Sequence, residues 1–181
     1  MNENSIIQDE FDYIVIGAGA AGCVVASEIV KDGRFSVCLI EQGRKDTSRW
    51  IHIPATMFKT LNTQDASRVI SEPDASLDDR NFVVPQGTVV GGGSSINGMI
   101  YMRGQAKDYD DWVNNHGCTG WSYQDVLPIF IKQEKNTRLS KPFHGQDGPL
   151  HVSDPEYKHP INSAIIESAL QAGLLPNEDF N

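Results

Sequence analysis

Three closely spaced glycines carry the first recognisable chemistry in the sequence. Gly17-Ala18-Gly19-Ala20-Ala21-Gly22 fits G-x-G-x-x-G. In that pattern the first glycine allows a tight turn and the second lets a pyrophosphate approach the backbone. The third lets a helix pack closely on a strand. Backbone N–H groups at the helix start, around Ala20 and Ala21, would face the phosphates with the helix dipole behind them. Glu41 follows 19 positions after Gly22. A carboxylate there can accept hydrogen bonds from both hydroxyls of an adenosine ribose and repels a 2′-phosphate. Gln42 lies beside it. These residues predict dinucleotide binding, and by themselves they do not separate FAD from NAD.

The surrounding elements are those the motif requires. Residues 12–16 (DYIVI) form an apolar, β-branched run that predicts a buried strand ending at Gly17. Residues 20–31 repeat small and apolar side chains at helical spacing, with Gly33 as the stop. Residues 37–40 predict a second buried strand, ending at Glu41. Strand, turn, helix and strand open a parallel sheet of α/β type. Beyond it the spacing predicts a helical turn around residues 55–59 and strand pieces at 68–71 and 81–84, joined as a hairpin or an excursion. Ser122-Tyr123-Gln124-Asp125 is a capping-box pattern ahead of a helix that Pro128 should kink or shorten. Residues 143–152 (FHGQDGPLHV) read as a turn into a strand, and residues 161–172 as an amphipathic helix ended by Gly173.

A second glycine motif runs from Gly87 to Gly104, GTVVGGGSSINGMIYMRG, and reads as a glycine-rich loop running into a helix start. Glycines at 91–93 let the backbone pass close to a large ligand. Asn97 offers donor and acceptor together, and amides around Gly98 and Met99 can face a planar ring edge. This segment resembles a signature of the glucose–methanol–choline (GMC) oxidoreductases. The likeness continues through DYDDW (108–112), GWSYQDVLPIF (120–130), FHGQDGPLHV (143–152) and DFN (179–181). It is strongest to the choline dehydrogenase and acceptor-linked alcohol dehydrogenase branch.

The resemblance implies a Rossmann-like FAD-binding βαβ core with α+β excursions and the start of a substrate domain. The expected boundaries are a tail at 1–10, a partial FAD-binding domain at 11–152 and a truncated excursion at 153–181. The implied cofactor contacts are Gly17, Gly19, Ala20, Ala21, Gly22, Glu41, Gln42, Val89, Gly93, Asn97, Gly98 and Met99. The implied reaction moves a hydride from a choline-like or other primary alcohol to flavin N5, giving an aldehyde. In this family the base is a His in a C-terminal motif, which these 181 residues lack, so no catalytic residue is assigned. The expectation is an N-terminal fragment, inactive alone; the alternative is a vestigial dinucleotide-binding fragment without catalysis.

Several positions depart from the family pattern. Some members attach FAD through a His where this chain has Ile96, so FAD is expected to be non-covalent. Gln86 and Thr88 replace residues that are often basic, Gly93 replaces a common Ser, and Arg68 stands where an aromatic is usual.

Composition narrows the partners. Fifteen Lys plus Arg against 24 Asp plus Glu give a net charge of −9, which argues against nucleic acid. No apolar run is long enough for a transmembrane helix, and the start, MNENSIIQDE, lacks a signal-peptide pattern. A cytoplasmic location follows, with peripheral membrane association left open. Cys23, Cys38 and Cys118 are too widely spaced for a zinc or disulfide framework, and the first two are expected to be buried small hydrophobes. His144, His151 and His159 read as loop or surface residues, with no metal site. The aromatics Tyr109, Trp112, Trp121 and Tyr123 read as packing, and Asp108, Asp110 and Asp111 as a solvated capping run.

Overall fold

A computed structural model describes residues 10–181; the tail expected at 1–10 lies outside them except for Glu10. The chain divides into two units, Met1–Ile100 and Tyr101–Asn181.

The first unit opens with β1 (Tyr13–Ile16), α1 (Ala20–Val30) and β2 (Val37–Ile40). β1 and β2 pair in parallel, Tyr13 opposite Val37 and Ile16 opposite Ile40. Two short helices follow, α2 (Arg49–His52) and α3 (Met57–Thr60), with a 3₁₀ turn at Pro54–Thr56 between them. β3 (Ala66–Ile70) and β4 (Val83–Gly87) form the expected antiparallel hairpin, shifted by about two residues from the sequence reading. The second glycine motif becomes a 3₁₀ turn at Gly92–Ser95 where a helix start was expected. Three consecutive glycines explain the difference, since each disfavours continued α-helix.

One expectation is corrected here. β1 and β2 are not buried: Ile14 is 62% exposed and Ile16 84%. Their apolar runs are those of a parallel sheet covered on both faces. Among the described residues, however, the sheet has only these two strands. The buried apolar side chains of this unit are instead Ala18, Ala26, Val89 and Ile96. Cys23 and Cys38 are only half-buried, and the Cys23 thiol donates to the Ala18 carbonyl.

The second unit begins with α4 (Ala106–His116) and α5 (Tyr123–Gln133). The acidic run does cap: the Asp108 carboxylate accepts the Gln105 N–H, and Gly117 (φ +68°) ends α4. Tyr109 meets Trp112, Tyr123 and Phe130 at centroid distances of 5.5, 6.3 and 5.9 Å, so the aromatic cluster packs α4 on α5. The capping box at α5 is formed, with the Ser122 hydroxyl accepting the Asp125 N–H and the Asp125 carboxylate accepting the Ser122 N–H. Pro128 does not end the helix, which runs five residues further. Ser122→Ala is expected to cost about 1 kcal/mol, read as a lower urea midpoint; an unchanged midpoint would contradict the cap's contribution.

β5 (Glu134–Asn136) and β6 (Leu150–Val152) pair in parallel, and α6 (Pro160–Gln171) follows, with Gly173 (φ +89°) after it. No helix among the described residues is long and apolar enough to cross a membrane.

His144 is the second correction. It is 3% exposed, not at the surface. Its Nδ1 lies 3.0 Å from both Glu134 carboxylate oxygens and its Nε2 2.8 Å from Asp179. Arg103 also pairs with Glu134, which is fully buried. Burying these charges is tolerable because each has an opposite partner. Burial pushes the Glu134 carboxyl up, but Asn136, His144, the Gly145 amide and Arg103 outweigh it and hold it below the usual range.

Candidate functional site

The candidate cofactor residues all lie in the first unit, where three chain segments converge on the N-terminus of α1. The first is the β1–α1 turn. Gly17 takes φ +93°, a conformation that favours glycine, and its N–H donates to the Ile40 carbonyl at 2.7 Å. Gly22 sits where a Cβ would lie 1.8 Å from the Gly17 carbonyl oxygen, so the helix can meet the turn only without a side chain there. These two glycines are explained by the fold.

Gly19 is not. Its φ of −83° suits any residue, and a Cβ added there would meet nothing within 4 Å. Gly19 is also the N-cap of α1, with no side chain capping it and no acidic residue in the first turn. The first amides of α1 thus point into open space with the positive end of the helix dipole. Ala20 and Ala21, both exposed, supply two of them.

The second segment is the end of β2. The Glu41 carboxylate accepts the Ala18 N–H through Oε2 at 2.7 Å and the Gly43 N–H through Oε1 at 2.8 Å. It is thereby fixed beside the glycine turn. Each oxygen keeps a further lone pair for a hydroxyl donor. Gln42 is exposed next to it.

The third segment is the second glycine motif. Val89 is fully buried and bridged in parallel to Arg44. The Gly91 N–H donates to the Ala18 carbonyl at 2.7 Å, and a Cβ on Gly92 would lie 2.8 Å from Gly19 Cα. The two glycine motifs, about 70 residues apart in sequence, are therefore in direct contact. Gly93 is exposed with open space where its Cβ would be. That space can accept the Ser common at this position in the GMC pattern.

Further along the loop, the Asn97 side-chain oxygen accepts the Met99 N–H at 2.8 Å, and Met99 takes φ +56°, strained for a residue with a side chain. That bond occupies the Met99 amide, so the donors left to a ligand are the Asn97 side-chain amide and the Gly98 N–H. Asn97 and Met99 border a cavity of about 200 Å³, together with Trp50, His52, Met57 and Ile96. The cavity abuts the outer end of the glycine motif.

Sequence reading missed several supporting residues. Ala18 links Glu41 to Gly91 through its two backbone groups, and nothing about an alanine announces that. His52 lines the cavity, with Nε2 2.5 Å from the Asp46 carbonyl. The fully buried Asp65 accepts from Arg44 at 2.6 Å, and that guanidinium bond holds its carboxyl below the ordinary range. The partners stand 21 positions apart with no periodic signal between them.

The chain is similar in sequence to choline dehydrogenases. The oxygen-dependent choline dehydrogenase of Brucella anthropi is 39% identical over 173 residues, covering 95% of this chain and 31% of that protein. The mitochondrial choline dehydrogenase of Mus musculus is also 39% identical, over 98% of this chain and 31% of its own length. The chain thus spans 31% of the length of each. Among solved structures, pyridoxine 4-oxidase from Mesorbium loti superposes with a TM-score of 0.83 at 28% identity, covering 90% of this chain and 32% of that one. An FAD-dependent oxidoreductase from Chaetomium thermophilum gives 0.80 at 31% identity, over 94% and 31%. The model of the GMC oxidoreductase family matches residues 11–181, nearly everything from β1 onward. Placed on a βαβ core whose two glycine motifs touch, that match has one reading: the chain belongs to the GMC oxidoreductase family.

Proposed function

We propose that this chain forms the FAD-binding part of an enzyme that oxidises an alcohol, choline or another primary alcohol, to the aldehyde. The observation that carries the cofactor reading is Gly19: a glycine that neither backbone conformation nor internal packing requires, at an uncapped helix N-terminus. The choline dehydrogenases at 39% identity support the substrate class.

The roles divide by segment. Gly17 and Gly22 shape the turn; Gly19 leaves the approach open, and the Ala20 and Ala21 amides receive the pyrophosphate. Glu41, with Gln42 beside it, holds the adenosine ribose through the lone pairs that Ala18 and Gly43 leave free. Gly93 lines the path with the fully buried Val89 supporting the loop beneath it, and Asn97, Gly98 and Met99 stand at the isoalloxazine edge. Ile96 has no nucleophilic atom, so the cofactor is held without a covalent bond. FAD, when bound, supplies the hydride acceptor, and the protein supplies position and electrostatics. The base that takes the hydroxyl proton belongs, on this reading, to sequence beyond these 181 residues, as the relatives' greater length supports. The 11–152 boundary for the cofactor domain is part of the same proposal.

Titrating FAD into the 181-residue chain, followed by visible absorbance, tests this. The chain should take up flavin, and Glu41→Ala should weaken uptake by about 10- to 100-fold, the range of a lost charge-assisted hydrogen-bond pair. A folded chain that takes up no flavin overturns the cofactor reading.

A further inference from the structure

The loop that carries Val89 into the second glycine motif is gripped from two sides. The Val90 N–H donates to the Arg44 carbonyl at 2.9 Å, and the Thr88 N–H donates to the Asp65 carbonyl at 2.8 Å. Arg44 follows the Glu41 turn, where Gly43 packs so tightly on residues 88–89 that a Cβ would lie 2.1 Å from the Thr88 carbonyl carbon. Asp65 stands just before β3. The two grips are then tied to each other, because Arg44 Nε donates to Asp65 Oδ1 at 2.6 Å. The path closes a ring: Arg44 backbone, residues 88–90, Asp65 backbone, Asp65 carboxylate, Arg44 guanidinium.

The acidic side of the ring is well satisfied. The Thr63 hydroxyl donates to Asp65 Oδ2 at 3.1 Å. Asp65 is fully buried, whereas the Arg44 side chain is 45% exposed. An exposed ion pair contributes little to stability. Here the buried carboxylate and the shared backbone partners give the pair a directional role. It holds residues 88–90 at a set distance from Glu41, and hence from the first glycine turn that Gly91 touches.

We infer that Arg44 and Asp65 are positioning residues that clamp residues 88–90 between the Glu41 turn and β3, and so set the affinity of the two-motif seat for FAD. The effect on affinity rests on the cofactor reading above; the clamp itself does not. Neither residue need touch the ligand.

The test uses Arg44→Met, Asp65→Asn and the double variant, which leaves no unpaired buried charge and so protects the fold. Amide exchange is measured first, without flavin. The Thr88 and Val90 amides should exchange faster in all three variants than in the wild type, while the amides of residues 24–30, inside α1, stay protected. FAD affinity should then fall by about tenfold, the size of one network coupling, and the visible circular dichroism of the bound flavin should change. A destabilised fold alone would not alter that spectrum at saturating FAD. Unaltered exchange at Thr88 and Val90 in the double variant overturns the clamp. Faster exchange with wild-type affinity and spectrum overturns its role in binding. A wild-type chain that takes up no FAD overturns the cofactor reading and the affinity role together, while the exchange result still decides the clamp.

Discussion

Gly22→Ala should destabilise the first unit by about 3 kcal/mol or more, at the upper end of overpacking costs. The added Cβ would lie 1.8 Å from the Gly17 carbonyl oxygen and 3.0 Å from its carbon, both main-chain atoms. Reaching even 3.0 Å from that oxygen requires a shift of 1.2 Å between α1 and the β1 turn (3.0 − 1.8). Val15 Cγ1, 3.4 Å away, would be in ordinary contact with it. Because Ala18 bonds both Glu41 and Gly91, the shift would propagate into all three segments of the site. Urea unfolding followed by far-ultraviolet circular dichroism reads the effect. A wild-type midpoint would show that α1 does not pack on the turn this closely.

Glu134→Ala should have an effect of similar size in the second unit. It removes the partner of buried Arg103 and of His144, and the acceptor of Asn136 and Gly145 donors. Breaking a buried pair from one side costs about 3–5 kcal/mol, because the remaining charge is left without compensation. Arg103→Met combined with Glu134→Leu should recover part of that loss. The same group sets a pH dependence. Glu134, Asp179 and Asp65 all titrate below their ordinary values in the folded chain. The unfolded chain therefore binds more protons in acid, and stability rises with pH through this range. Their contribution is complete above the unfolded carboxylate values of about 4 and is lost as pH falls through the lower folded values. Thermal midpoints should thus stay level near neutrality and drop in acid, with a shallower acid slope in Asp65→Asn. An equal slope would remove Asp65 from that account.

What the sequence disclosed depended on how local the cause was. The βαβ opening was legible because the G-x-G-x-x-G turn, the helical spacing after it and the Glu at the strand end all act within about thirty residues. Caps were legible for the same reason, as at Ser122 and Gly173. Burial was not, because DYIVI has the pattern of a covered strand, while coverage depends on neighbouring strands that the pattern cannot supply. His144 was misread since its partners lie 10 and 35 positions away, at Glu134 in β5 and at Asp179. Contact between the two glycine motifs was likewise invisible, being made by main-chain groups of Ala18 and Gly91. Pro128 did not shorten the helix to its own position: a helix capped at its start and packed by Phe130 against Tyr109 runs on past it.

On the proposed cofactor reading, the space beside Gly19 is kept open for a bound dinucleotide rather than for the fold. Gly19→Ala separates the two directly, since its φ of −83° and open surroundings admit a methyl group. Stability should stay within about 1 kcal/mol of the wild type, since the lost freedom of the unfolded chain offsets the preference for glycine over alanine at an N-cap. FAD affinity should fall by at least about tenfold, or about 1.4 kcal/mol. Gly93→Ser, placed in equally open space but with the side chain usual in the pattern, should bind FAD no more weakly than the wild type. A Gly19→Ala chain that is as stable as the wild type and binds FAD just as tightly would contradict the account.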